Sequence, residues 1–346
     1  MNLIQHLNKI YDTKSKPFLI YQNTELKFSD IINEKQINLD IVKPGDVVAL
    51  IGDFNASSIS TLLRLIDLKT IIVPLTIETK NTHDYFFESA LVDVVIDDGE
   101  VKQIKQKNHH ILIENLRQKS HAGLILFSTG TTGRPKAILH DMTLFLKRFQ
   151  TPRPTLKMIN FLLFDHIGGI NTLLHTIFNR GIVVAPINRN VDSILKTCAK
   201  YKVEVLPTTP TFLRLMLLSG SVPSKIPNCL KIITYGTERM DQATLDALCK
   251  LLPNIDFRQT YGMSELGIVR VKSKARNSLY MKIGGEGVET KIDNKVLQIR
   301  SKTRMLGYLN AKSPFDKNGW YDTKDIVDES DGYIKITGRI GDVINV

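Results

Sequence analysis

The chain has 346 residues, 42% of them hydrophobic and 23% charged, enough apolar surface for two or three cores and too much for a disordered chain. Its 21 glycines and 13 prolines are spread without period, which excludes collagen-like and low-complexity classes. A net charge of +11 admits a nucleic acid, an acidic membrane surface or an anionic ligand as partner.

In chain order, the N-terminus is amphipathic, with Lys9, Asp12, Lys14 and Lys16 in place of a signal peptide's apolar core. Strands are predicted at Val47–Ile51, Ile71–Pro74, Val92–Ile96 and Leu124–Phe127, with a helix over Ser58–Leu68. The run from Leu62 to Leu75 is broken by Arg64, Asp67 and Lys69, so no membrane span is expected. The alternation continues as strand Phe161–Phe164, helix Ile170–Phe178, strand Ile182–Ala185, helix Ser193–Tyr201 and strand Val203–Leu206. Helix Pro210–Leu218, strand Ile232–Tyr235, helix Gln242–Leu251 and strand Phe257–Tyr261 complete it. This rhythm predicts an α/β fold of two mostly parallel sheets layered with helices. After Gly267 the texture changes to short strands at Ile268–Val271, Met281–Ile283, Glu289–Ile292, Val296–Arg300 and Tyr333–Ile336. A small β-barrel-like subdomain is expected there. The expected domains are residues 1–266 as an α/β core, 267–338 as the β-rich part and 339–346 as the entry to a hinge.

Cys198, Cys229 and Cys249 have no metal-ligand spacing, so reduced cysteines and a cytoplasmic location are expected. The densest basic cluster, Arg270, Lys272, Lys274 and Arg276, has no aromatic platform in sequence and opens no recognition helix. No nucleic-acid partner is expected.

The most informative segment is Ser128-Thr129-Gly130-Thr131-Thr132-Gly133-Arg134-Pro135-Lys136. Its glycines let backbone amides approach an anion, its hydroxyls add donors, and Lys136 adds a mobile positive charge. The glycines are three apart and Ala137 follows the lysine, so this is not the nucleoside-triphosphate P-loop.

This segment resembles the phosphate loop of the adenylate-forming superfamily: acyl-CoA synthetases, peptide-synthetase adenylation domains and luciferases. Further matches follow in the family's order. Tyr261-Gly262-Met263-Ser264-Glu265 is similar to Tyr-Gly-x-Thr-Glu, and Met305-Leu306-Gly307-Tyr308 resembles part of its barrel region. Trp320-Tyr321-Asp322-Thr323-Lys324-Asp325 resembles Trp-x-x-Thr-Gly-Asp, and Asp331-Gly332-Tyr333 through Gly338-Arg339 resembles the approach to the hinge.

The resemblance implies an N-terminal domain that joins ATP and a small carboxylic acid into an acyl-adenylate, releasing pyrophosphate. The acyl group would then pass to the thiol of CoA or of a carrier protein's phosphopantetheine. By the same resemblance, the loop residues Ser128, Thr129, Gly130, Thr131, Thr132, Gly133 and Lys136 hold the β- and γ-phosphates. Glu265 holds Mg²⁺, Ser264 keeps the hydroxyl at the α-phosphate, and Tyr261, followed by Gly262, stacks on adenine. Gln259 and the turn Gly236-Thr237-Glu238 line the adenine and acyl pockets, with Gly236 letting substrate pass the backbone. Asp325 accepts the ribose hydroxyls and Arg339 reaches ribose or phosphate. Lys324 stands where the family has glycine.

Asp165-His166-Ile167-Gly168-Gly169 resembles the His-x-x-Gly of acyl-CoA synthetases, which implies His166 near the acyl carboxylate. Phe164-Asp165 also resembles the Phe-Asp by which amino-acid-activating members hold an ammonium. From an extended strand only one of the pair faces the pocket, and His166 inward with Asp165 outward is the expectation. The chain ends about seven residues beyond Arg339, so the family's C-terminal lid is expected to be absent and turnover impaired. Gly341 falls at the hinge position. A nucleotide-binding module without turnover remains an alternative.

Overall fold

Buried β-branched runs set the centre of the architecture. The computed structural model describes residues 2–11, 16–33, 37–104, 109–128, 133–154 and 156–341. Thr129, Gly130, Thr131 and Thr132 lie outside them. There are two compact units: Met1–Ile187 with Met305–Ser313, and Asn188–Arg304 with Pro314–Val346.

In the first unit Val47–Ile51 and Ile71–Leu75 pair in parallel, flanked by Val94–Asp97 and Gly123–Phe127. Their residues are buried on both faces, as expected of strands covered by helices. The edges are antiparallel: Glu100–Gln103 on one side, Ala137–Asp141 and then Gly307–Tyr308 on the other. Helix Ala56–Asp67 starts at Asn55, whose side chain accepts the Ser58 amide at 2.8 Å. Its far end serves a second helix, because the Asp67 carboxylate accepts the amides of Leu3 at 2.6 Å and Ile4 at 2.9 Å. These are orphan donors at the start of helix Leu3–Tyr11. A further group of strands runs Lys157–Ile159, Ile182–Val184, Leu19–Tyr21 and Thr24–Leu26, parallel except for the last hairpin.

In the second unit Val205–Thr208, Ile232–Tyr235 and Asp256–Gln259 are parallel and alternate with helices Pro210–Leu218 and Gln242–Leu251. An antiparallel sheet follows in the order Tyr261–Met263, Gly267–Ser273, Met281–Gly284, Tyr333–Arg339, Tyr321–Ser330, Val296–Ser301, Val288–Asp293. Its core gathers Leu266, Val269, Met281, Leu297 and Ile299.

Several expectations are corrected. The β-rich part is an open sheet, not a barrel: among the described residues no ladder joins its two edge strands. The change of texture is a change from parallel to antiparallel pairing inside the second unit, and it begins at Tyr261. Met305–Tyr308 belongs with the first unit, where Gly307 pairs with Leu139 and Tyr308 with Ile138. Phe161–Phe164 is no strand. It is a turn that plugs Phe164 edge-on against Phe54, with ring centroids 5.3 Å apart. A short continuous apolar run does not by itself distinguish these cases.

The three cysteines are free thiols, and burial pushes Cys198 up to about 12. No helix among the described residues is long and apolar enough to cross a membrane.

Candidate nucleotide and acid site

The candidate residues fall into two sets, one in each unit. In the first, Phe127 pairs with Ala137 across an antiparallel ladder, so the loop between them joins two strands, where a P-loop would run into a helix. The loop closes on itself: the Ser128 amide donates to the Lys136 carbonyl at 3.1 Å, and the Lys136 amide to Ser128 Oγ at 3.0 Å. Its exit is clamped by two side chains that reading the sequence missed. The Pro135 carbonyl accepts the Tyr85 hydroxyl at 2.7 Å and Asn310 Nδ2 at 3.1 Å. Asn310 Oδ1 also accepts the Ala137 amide at 2.9 Å. The Lys136 ammonium lies 5.0 Å from the Tyr308 ring centroid, a cation–π distance. The only signal for this clamp was Met305–Tyr308, which sequence order assigned to another part of the fold.

Asp165 and His166 occupy the turn before helix Ile167–Phe178, so the strand-alternation argument fails. The two side chains bond each other, His166 Nδ1 to Asp165 Oδ1 at 2.7 Å. Asp165 is the inner one: its side chain is 9% exposed against 44% for His166. Thr76 Oγ1 holds the other carboxylate oxygen at 3.3 Å.

In the second unit the structure joins three candidates. The Tyr261 hydroxyl donates to Asp325 Oδ2 at 2.5 Å, and Arg339 Nε lies 3.8 Å from Asp325 Oδ1. Asp325 and Arg339 are register partners in adjacent strands. Both Asp325 and Tyr261 are buried. Burial, then the neighbouring carboxylate, pushes the Tyr261 hydroxyl well above its ordinary value, so it stays a neutral donor. Thr323, fully buried, braces Asp325 by accepting its amide at 3.0 Å and donating to the Leu297 carbonyl at 2.7 Å.

Lys324, where glycine was expected, has φ +64, the left-handed region that favours glycine. Asp322 holds it there, accepting its amide at 2.9 Å and its ammonium at 2.6 Å. The left-handed conformation costs a non-glycine residue about 1 kcal/mol, whereas an exposed ion pair returns at most about that much. Lys324→Gly should therefore be more stable than Lys324→Ala by about 1 kcal/mol. Equal urea midpoints for the two variants would contradict the backbone argument. Gly341 has φ +95, so its position also demands glycine's freedom.

The turn Gly236-Thr237-Glu238 has a structural occupation. A Cβ on Gly236 would meet Thr260 Oγ1 at 2.1 Å, so the space beside this glycine is filled rather than left open for substrate. Thr237 has φ +69. Glu238 accepts the Thr211 amide at 3.1 Å and hydroxyl at 2.5 Å, at the start of helix Pro210–Leu218, and Arg239 bonds the Thr337 carbonyl. Gln259 differs: its Oε1 is buried without a partner among the described residues, as is Thr208 Oγ1. Both stand in register with Tyr235, and sequence gave no sign of Thr208.

Ser264 and Glu265 form the turn between Tyr261–Met263 and Gly267–Ser273, and Glu265 is 9% exposed. A Cβ on Gly262 would lie 2.7 Å from the Gly267 carbonyl oxygen, so glycine is required for this hairpin to close. Among the described residues no three His, Cys, Asp or Glu side chains gather to hold a metal. One carboxylate with phosphate oxygens is an ordinary magnesium arrangement. The residues thus fit a metal delivered with a nucleotide and not a preformed protein cage.

Residues 42–300 match the family described as AMP-binding enzyme. The chain is 28% identical over 253 residues to 4-coumarate–CoA ligase 4 of Arabidopsis thaliana, covering 63% of this chain and 44% of that protein. It spans about half the length of the curated relatives it matches. In fold it is similar to the N-terminal subdomain of Klebsiella oxytoca NpsA, solved with 3-hydroxyanthranilyl-AMSN. That match has a TM-score of 0.78 at 14% identity, over 98% of this chain and 99% of that one. O-succinylbenzoate coenzyme A synthetase from Bacillus subtilis, solved with AMP, gives 0.76 at 17% identity, over 98% and 99%.

Proposed function

Since this chain belongs to the AMP-binding enzyme family, we propose that it activates a small carboxylic acid with ATP. A carboxylate oxygen attacks the α-phosphorus, the bond to the bridging oxygen breaks, and acyl-adenylate and pyrophosphate result. The acyl group would then pass to a thiol, of CoA or of a carrier protein's phosphopantetheine. The observation that carries this reading is Asp325, a carboxylate buried at an interior strand position and held by Tyr261. Packing alone gives no reason to bury a charge there, whereas a pair of ribose hydroxyls does.

The roles follow from chemistry. Asp325 accepts the ribose hydroxyls and Arg339 adds positive charge beside them. Tyr261 offers its ring to adenine, and the orphaned Gln259 Oε1 accepts a donor from base or acid. Ser128, Gly133 and Lys136, in a loop closed at its base, neutralise and orient the polyphosphate. Magnesium, when bound, supplies positive charge against that polyphosphate, and Glu265 would hold it with phosphate oxygens. His166 faces the acid's carboxylate. The Asp165 carboxylate already has partners on both oxygens, which favours a plain carboxylic acid over an amino acid. The name of the Arabidopsis relative, a CoA ligase of 4-coumarate, agrees with that choice.

ATP–pyrophosphate exchange with 4-coumarate, benzoate, octanoate and phenylalanine tests the reading. Exchange with one of the first three is expected. Exchange with phenylalanine alone would move the reading to amino-acid activation, and nucleotide binding with no exchange would leave a binding module. Glu265→Gln should weaken magnesium-dependent ATP binding about tenfold, the loss of one charge-assisted contact, and leave AMP binding nearly unchanged. Equal losses for ATP and AMP by calorimetry would count against the metal role.

A further inference from the structure

We infer that Asp165 is a positioning residue that fixes which ring nitrogen His166 presents to substrate. This rests on the reading above in one respect only, that His166 faces the acid.

His166 is the N-cap residue of helix Ile167–Phe178, yet its side chain makes no capping hydrogen bond. A histidine can cap, as His110 does by accepting the Leu112 amide at 3.2 Å, but the His166 imidazole is turned away from its helix. The ring instead turns to Asp165, Nδ1 to Oδ1 at 2.7 Å. A carboxylate can only accept, so the proton of this contact belongs to Nδ1, and Nε2 is left as the free nitrogen. The side chain is 44% exposed, which leaves the imidazole open to a ligand.

Asp165 is itself held. Its backbone follows Phe164, which is fully buried against Phe54. Its second oxygen takes the Thr76 hydroxyl at 3.3 Å. Thr76 is buried in turn, and its carbonyl receives Thr79 Oγ1 at 2.9 Å and lies 3.0 Å from His83 Nε2. The arrangement is therefore a fixed carboxylate orienting an exposed imidazole, the relation an orienting acid has to a working histidine. It also explains an acid at residue 165 without assigning it to substrate.

The test uses histidine-¹⁵N-labelled protein, with the His166 resonances assigned by their loss in His166→Gln. In the parent, the neutral ring should carry its proton on Nδ1. Asp165→Ala should release it to a mixture of tautomers, while Asp165→Asn, which keeps an accepting oxygen, should hold it. In pyrophosphate exchange with whichever of 4-coumarate, benzoate or octanoate reacts fastest, Asp165→Ala should lower kcat/KM for the acid about tenfold, the worth of one hydrogen bond. KM for ATP should stay as in the parent, and Asp165→Asn should lose less. A parent ring protonated on Nε2 alone, or an Asp165→Ala variant unchanged in both tautomer and kcat/KM, would overturn the proposal. Unchanged exchange in His166→Gln would instead overturn the substrate role of His166, a failure the ring's protonation pattern does not share.

Discussion

Replacing Asp325 by alanine should weaken ATP and AMP binding together, by about a hundredfold, because both ligands carry the ribose that this carboxylate would hold. Hydrogen bonds to a charged group contribute about 1.5–3 kcal/mol each, and a hundredfold loss corresponds to about 2.7 kcal/mol. Stability must be separated from binding. In the variant the buried Tyr261 hydroxyl loses the acceptor it has at 2.5 Å, and an unpaired buried donor costs about 1–3 kcal/mol. Adding Tyr261→Phe removes that donor, so the double variant should recover much of the stability and none of the affinity. Calorimetry for AMP alongside thermal unfolding makes the comparison. A folded Asp325→Ala protein that binds AMP as well as its parent would remove Asp325 from the nucleotide site.

Gly169→Ala should destabilise the protein by about 3 kcal/mol or more, whatever its effect on substrate. A Cβ there would lie 1.9 Å from the Leu163 carbonyl oxygen and 2.9 Å from that of Leu162. Both are backbone atoms of the turn that carries Phe164 and Asp165, so no side-chain rotation relieves the overlap. Overpacking of this kind typically costs about 1–3 kcal/mol, and more where the backbone must shift. Gly133→Ala is the contrasting case, since a Cβ there has no described atom within 4 Å. It should fold normally, and any loss of nucleotide affinity would then report on how closely the loop meets its ligand. Urea unfolding of both variants decides the matter. A Gly169→Ala protein with an unchanged midpoint would return this glycine from packing to the pocket.

Much of the fold and of the candidate site was legible because it depends on local chemistry. Val47–Ile51, Ile232–Tyr235, Pro210–Leu218 and Gln242–Leu251 have the predicted bounds, since each is a β-branched or apolar-periodic run between turn or capping residues. The polar loop after Phe127 also announced itself by composition. Strand Tyr321–Ser330 did not. Its burial alternates as it should through Tyr321, Thr323, Asp325 and Val327, but one of those interior positions holds a charge. The residue that hides the strand from a hydrophobic pattern is the one that carries the functional reading, as expected where a site violates a local rule.

By itself, then, the sequence determined the α/β texture, the ordered motifs and hence the family, because periodicity and short motifs are properties of neighbouring residues. Tertiary structure alone decided the partners. Only pairing across the sheet brings Tyr308 and Asn310 to a loop some 170 residues earlier in the chain. Only the turn before Ile167 lets Asp165 and His166 bond each other instead of pointing apart. The open sheet in place of a barrel, and Thr260 filling the space beside Gly236, were equally beyond local pattern. Each depends on which strand edge stays unpaired, or which side chain arrives from another strand, and long-range packing settles that where residue order does not.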